Sequence, residues 1–263
     1  MTLAIAIKYP FGKFARALEN LSKIRPVQYQ HAVLFISDSR WTYPDHSYED
    51  DGMKLHDIDA STVVAFSGKV NIAEHCIENL RRKINDPRIR VVNVNETLMR
   101  TFRFHKNQND NNGIKTGKLS FLLGKYQKIG RTELVLLESP DFKHKFIVGL
   151  EGIGDKEAYQ EVEKVVSPKL EEINYTGREG DYITIAANII DAVRVLVIEN
   201  PFYRTVGGLL QFWVLDSRGI TEYPLKYTHD PTQKAEWRRA TIKRNELRTI
   251  KDKLNLGPDY LVK

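Results

Sequence analysis

Cysteine is nearly missing from this chain: Cys76 is the only one in 263 residues. That excludes an internal disulfide framework and fits a reducing compartment, so a cytoplasmic location is expected. Cys76 stands on an apolar helical stripe with Ala73, Ile77, Leu80 and Ile84, which predicts a buried structural thiol and not a reactive one. Long apolar runs are missing too. No stretch approaches the ~20 residues of a spanning helix, so no membrane partner is expected. The N-terminal segment lacks a charged region followed by an apolar core, which argues against a secretory leader. The seven histidines are scattered without ligand spacing. No metal and no organic cofactor is therefore expected. Internal repeats and low-complexity segments are absent.

The charge is one-sided only at one end. The net charge is +6, and from Lys226 onward ten Lys/Arg stand against five Asp/Glu. The body is thus close to neutral and the basicity belongs to a tail. A basic body would point to nucleic acid. A basic tail carrying Trp237-Arg238-Arg239 and Lys243-Arg244 fits a helix packed on a neighbouring subunit better. At 41% hydrophobic, the chain has enough apolar residues for one large domain with an appendage.

What is present is a succession of strand blocks and helix blocks. A short apolar run opens the chain, Met1 to Lys8. From Tyr9 to Gln30, Phe11, Phe14, Leu18 and Leu21 recur at helical steps, which predicts an inserted amphipathic helix. His31–Ser37 and Thr62–Ser67 read as buried strands, and Lys69–Ile84 as an amphipathic helix. Helix is expected around Glu96–Phe104, followed by a polar loop at Asn107–Gly113. Strands follow at Leu119–Leu123, Glu133–Leu137 and Lys145–Val148, then helices at Lys156–Val166 and Tyr182–Ile198. Gly207-Gly208 opens the strand Leu209–Leu215, and Asp216-Ser-Arg-Gly219 turns it into Ile220–Tyr223. Asp230-Pro231 predicts the start of a charged tail helix reaching about Leu254. Strands, two helices, strands, two helices and strands suit two stacked sheets with helices outside, an α+β fold. The expected division is a main domain over 1–225, with a helical insertion about 9–30, and a basic helical tail over 226–263.

The chemistry starts at Thr2. A small residue behind Met1 permits methionine aminopeptidase to expose it, and a threonine at a free N-terminus carries a hydroxyl and a base on one residue. Further on stand Asp38-Ser39-Arg40-Trp41-Thr42 at a strand end and Lys54-Leu55-His56-Asp57-Ile58-Asp59. Val64-Ala65-Phe66-Ser67-Gly68 leads into a helix, and Gly152-Ile153-Gly154 and Gly207-Gly208 come much later. In this order and context the chain resembles a proteasome β-type subunit, related to the bacterial HslV peptidase and the Anbu group. The likeness covers Thr2–Lys8 and His31–Ile84 well and Lys145–Tyr223 loosely.

The resemblance implies a four-layer αββα sandwich of the N-terminal nucleophile (Ntn) hydrolases. It implies Thr2 as nucleophile, Asp38 as the acid beside it, and Lys54 as the lysine paired with that acid. A nearby ammonium lowers the pKa of the α-amine and so makes it a useful base. Arg40 matches a structural support, Thr42 a backbone partner of an extended peptide, and the Ala65 N–H an oxyanion donor. Three positions depart from the pattern. Ile153 stands where the family has a serine, and Tyr203 and Val206 where it has an aspartate and a serine. Thr205, one step from Val206, is the nearest hydroxyl.

The implied activity is a threonine peptidase cleaving peptide or unfolded protein. It would work within a homo-oligomer, as a ring or an open helical assembly, with an ATPase as possible partner. Two alternatives stay open: a catalytically silent structural subunit that keeps Met1, and an Ntn amidase acting on a small acylated molecule. Two superficial signals are set aside. Gly113–Lys118 has the wrong glycine spacing for a phosphate loop. The second Asp216-Ser-Arg218 shows that the triplet at Asp38 says little alone.

Overall fold

A computed structural model of the chain describes residues 3–10, 31–43, 47–50, 52–127, 131–172, 180–198, 200–203, 205–228 and 236–239. Thr2, the expected inserted helix from 11 to 30 and the tail from 240 onward lie outside the described residues.

Side chains that alternate across strands buried on both faces build the architecture. In β1 (Leu3–Tyr9), Leu3, Ile5, Ile7 and Tyr9 join one apolar cluster while Ala4 and Ala6 join another. In β2 (Ala32–Asp38), Ala32, Leu34 and Ile36 join the first cluster, and Val33 and Phe35 the second. β1 and β2 pair antiparallel with Ala6 opposite Phe35. Among the described residues the short strands β3 (Trp41–Thr42) and β4 (Tyr48–Glu49) pair only with each other. Next come β5 (Leu55–Asp59), β6 (Thr62–Ser67), β7 (Ser120–Tyr126), β8 (Thr132–Glu138) and β9 (Lys145–Phe146). They form a five-stranded antiparallel sheet in chain order. β10 (Leu150–Gly154), β11 (Leu209–Asp216), β12 (Gly219–Thr228) and β13 (Glu236–Arg239) complete a six-stranded sheet in the order β10-β1-β2-β11-β12-β13.

The two sheets meet through a cluster in which Val33, Phe35 and Trp213 face Val63, Leu122 and Leu134. Gly124 makes room there, since a Cβ at this position would stand 2.7 Å from the Phe35 ring. The outer face of the five-stranded sheet buries the apolar stripe of α1 (Val70–Ile84), with Ile72, Cys76 and Leu80, and Leu98 and Phe102 of α2 (Val94–Asn111). The outer face of the six-stranded sheet carries α3 (Lys156–Glu172) and α4 (Gly180–Val193), and a π-helical turn at Arg194–Ile198 extends α4. This is a mixed α+β fold of two large antiparallel sheets, a two-stranded ribbon and four α-helices among the described residues, in line with the pattern in the sequence.

Five details differ from the sequence expectation. Tyr9, expected to open a helix, is the buried last residue of β1, where its hydroxyl donates to Asp181 Oδ2 at 2.7 Å. Asn107–Asn111, expected as loop, continues α2. The Asn93 side chain caps the start of that helix, a Lys106–Asp110 pair spans its last turn, and Gly113 ends the segment at φ 68°. β5 and β10 carry too few alternating apolar residues to be read as strands alone, and cross-strand partners make them so. The expected tail helix is not found at Glu236–Arg239, which is a strand pairing with Leu225–Thr228. The open edge of β12 offers unpaired backbone groups, and a local helix preference does not outweigh that ladder. β12 also runs through the expected boundary at 225.

Candidate active site

β2 ends on Asp38 beside the start of β1, and this places a carboxylate at the N-terminal end of the chain. The Leu3 N–H donates to Asp38 Oδ1 at 2.8 Å. Lys54 Nζ donates to the same oxygen at 2.8 Å and to the Arg40 carbonyl at 2.6 Å. The Gly207 and Arg40 N–H groups donate to Asp38 Oδ2 at 3.1 and 3.2 Å. Both charged side chains are 0% exposed. A buried ion pair persists only when its remaining polar capacity is filled, and here backbone groups fill it. Burial pushes the Lys54 ammonium down and outweighs the opposing pull of Asp38. The Trp41 ring lies 5.3 Å from Nζ.

The segment before β5 is what brings Lys54 in. The Gly52 N–H donates to the Ser39 carbonyl at 2.9 Å, and a Cβ on Gly52 would stand 2.1 Å from the Trp41 ring. Only glycine lets the chain pass there. Lys54 is then fixed by its N–H to Gln211 Oε1 at 3.3 Å and by the Phe66 N–H on its carbonyl.

Arg40 takes the supporting position that the resemblance implies. It is nearly buried and grips Asp50 through Nε at 2.6 Å and Nη2 at 2.8 Å, with Tyr48 stacked 3.8 Å away. Burial lowers its pKa, but the Asp50 hydrogen bond and charge outweigh that and leave it raised. Gly207 packs on its guanidinium, where a Cβ would be 2.6 Å from Cζ, and Gly208 sits at φ 75° against Asp50 and Ser39. The glycine pair therefore serves this ion pair and the Gly207 bond to Asp38 together.

Next to this network opens a cleft of about 690 Å³. Thr42 lines it with Trp41, Phe66, Ser67, Gly68 and Val70 at its walls, and Gly117 and Lys118 reach its rim. The Thr42 hydroxyl donates to the Thr205 carbonyl at 3.4 Å. Ala65 does not reach the cleft. It lies in the middle of β6 opposite Leu55 and Leu122, fully buried between the sheets, because the strand continues two residues past it. The strand-to-helix junction at the cleft is Ser67-Gly68-Lys69. Gly68, just beyond the last paired residue, has φ 125°, and a Cβ there would be 2.5 Å from the Lys118 carbonyl. The Ser-Gly pair before a helical stripe was the available signal, read three residues too early.

The three departures from the pattern are buried or packed among apolar groups. Ile153 belongs to the inter-sheet cluster opposite Ala4, while Val206 and Tyr203 pack against the α3–α4 side. Thr205 is differently engaged: its hydroxyl donates to Asp155 Oδ2 at 3.3 Å. Asp155, only 9% exposed, also caps α3 through the Ala158 N–H on Oδ1 at 3.1 Å. The sequence reading missed this pair, since 50 residues separate its members.

Elsewhere, His75 and His105 meet across α1 and α2 with ring nitrogens 2.8 Å apart, although their spacing gave no hint of it. Among the described residues no group of three or more His, Cys, Asp or Glu is arranged to hold a metal ion. No helix among them is long and apolar enough to cross a membrane. Compared with known protein families and with characterised proteins, the sequence matches none.

Proposed function

We propose that this chain is a proteasome-type N-terminal nucleophile hydrolase that uses Thr2, exposed by removal of Met1, to cleave peptide bonds. Two sheets packed face to face, with a helix pair outside each, support the four-layer αββα sandwich of that class. The observation that carries the reading is the buried Lys54–Asp38 pair, whose carboxylate lies 2.8 Å from the peptide nitrogen joining Leu3 to Thr2. A charged lysine held there disfavours protonation of the neighbouring α-amine, which is then free to act as base.

In this mechanism the Thr2 Oγ attacks the substrate carbonyl carbon and its proton passes to the Thr2 amine. The C–N bond then breaks, the leaving amine takes that proton, and water hydrolyses the ester left on Thr2. Gly68 at the cleft replaces Ala65 as the oxyanion donor, a contribution of about 3 kcal/mol where such a donor acts. The extended substrate lies along Thr42 in the cleft. The working form is a cytoplasmic homo-oligomer, ring or open, acting on peptide or unfolded protein with an ATPase as partner where the substrate is folded.

Intact mass of protein purified from its host is the first test: the reading requires a chain lacking Met1. A peptide library then tests the wild type against Thr2→Ala, which abolishes hydrolysis while leaving the protein folded. Undiminished cleavage by that variant overturns the mechanism. A second reading, a silent structural subunit that keeps Met1, is favoured by one observation: Ile153 and Val206 put apolar side chains where the family has hydroxyls.

A further inference from the structure

The outer helix pair carries a polar ladder that the hydrolase reading does not use. Along α1 and α2, three side-chain contacts follow one another at four-residue steps, running in opposite directions on the two helices. Lys83 Nζ donates to Thr97 Oγ1 at 3.2 Å, and Asn79 Nδ2 donates to Thr101 Oγ1 at 3.2 Å. The last rung joins His75 Nδ1 and His105 Nε2, 2.8 Å apart. Residues four apart share a helix face, so the first two rungs fix the register of the third. Cys76, Leu98 and Phe102 pack the same two helices into the core, and both rings therefore project from a rigid base. The histidine rung lines a surface cavity of about 470 Å³ together with Glu78, Arg100 and Phe104. Phe104 stands edge-on to the His105 ring at 5.3 Å, while Glu78 and Arg100 are paired with Arg81 and Glu96.

A straight N–H···N bond of this length would hold the ring centres about 5 Å apart. They stand 4.7 Å apart with the planes 34° from parallel, so the rings are turned off the line joining the nitrogens. Two lone pairs need such a turn to meet at a third atom. An ion with ligands at right angles and metal–nitrogen bonds of about 2.0–2.1 Å sets neighbouring nitrogens about 2.9 Å apart. The pair already has nearly that spacing, whereas a tetrahedral ion would require about 3.4 Å. We propose that His75 and His105 form a two-imidazole chelate for a divalent late transition ion of octahedral or square-planar geometry, Ni²⁺ or Cu²⁺. Water fills the remaining positions, so two side-chain donors suffice. On binding, the proton between the rings moves to the outer nitrogen of its own imidazole, and the ion clasps α1 to α2. Burial and the neighbouring His75 hold His105 below its ordinary value, which leaves the ring neutral and able to ligate near pH 7. The rung is formed by α1 and α2 alone, so the inference is independent of Thr2 and of the hydrolase reading.

The test uses full-length protein without a polyhistidine tag, and Ni²⁺ as the probe. Calorimetric titration near neutral pH compares the wild type with His75→Gln and His105→Gln. The expected result is one saturable site per chain in the wild type. Each variant should bind weaker by about tenfold or more, since loss of an outer-shell partner alone costs that much. Saturating Ni²⁺ should also raise the denaturant midpoint of the wild type and leave both variants unmoved. No saturable binding by the wild type overturns the inference. So does equal binding by the wild type and either variant, because a chelate needs both rings, and the rung is then only a hydrogen bond between helices. Should a variant fail to fold, Cu²⁺ bound to the wild type decides by electron paramagnetic resonance. Nitrogen splitting from two imidazoles supports the chelate, and splitting from one or none overturns it.

Discussion

Replacing Lys54 with methionine removes an ammonium while keeping a long apolar stem of similar reach, and it isolates the charge at the centre of the site. The side chain is fully buried, and its Nζ is shared between Asp38 Oδ1 at 2.8 Å and the Arg40 carbonyl at 2.6 Å. Breaking a buried pair by removing one partner costs about 3–5 kcal/mol, because the other charge is left in a low-dielectric site. Asp38 would keep the Leu3, Arg40 and Gly207 N–H donors, so Lys54→Met should fall at the low end, about 3 kcal/mol. Asp38→Asn should cost more. It strands the lysine, and it turns an amide NH₂ toward backbone N–H groups that need an acceptor. Combining both changes removes both charges, so the double variant should be less destabilised than the sum by about 2 kcal/mol. The assay is chemical denaturation of the four proteins at one concentration, so that any assembly contributes equally. Single costs below about 1 kcal/mol, additive within about 0.5 kcal/mol, would refute the buried, coupled pair.

Three further outcomes follow from the same geometry. Gly207→Ala pushes a methyl to within 2.6 Å of Arg40 Cζ and should destabilise by about 1–3 kcal/mol, loosening the Asp50 grip; denaturant titration checks this, and a neutral effect speaks against the packing described. Cys76 is buried and its thiol is pushed up to about 12, so native protein at pH 8 should resist iodoacetamide until it is unfolded, and ready labelling would contradict that burial. Burial holds the His56 imidazole below its ordinary value near 6.5. Between those two values the unfolded chain binds more protons, so stability rises with pH across the window and is lost as pH falls below about 6.5. His56→Gln should flatten that part of the slope while leaving the share from His105, which has the same sign. Identical slopes in the two proteins would rule out this role for His56.

How far the site could be read from the chain varied with the kind of signal. Local signals survived translation into structure: Thr62–Ser67 is a strand over the range its apolar run predicts, and the Ala73–Cys76–Leu80 stripe faces the core as a helix. Lys54 and Asp38 stand 16 residues apart and could be paired only by resemblance, whereas the fold joins them through a glycine passage under Trp41. Ala65 and Gly68 show the opposite failure. Both are small residues near a strand end, and the Ser67-Gly68 pair just before the helical stripe is the one local sign of which emerges at the cleft.

The sequence by itself determined the period-two and helical patterns, and with them two double-faced strands, four amphipathic or apolar helices and a neutral body with a basic end. These depend on the free energy of burying one face of each element, which every few residues express locally. Only the tertiary structure decided the rest. The Leu3 and Gly207 N–H groups reach Asp38 across 35 and 169 residues, Thr205 finds Asp155 across 50, and Glu236–Arg239 becomes a strand because β12 has an open edge. Such contacts satisfy buried polar groups whose partners are fixed by the packing of distant segments, and no local pattern encodes that choice.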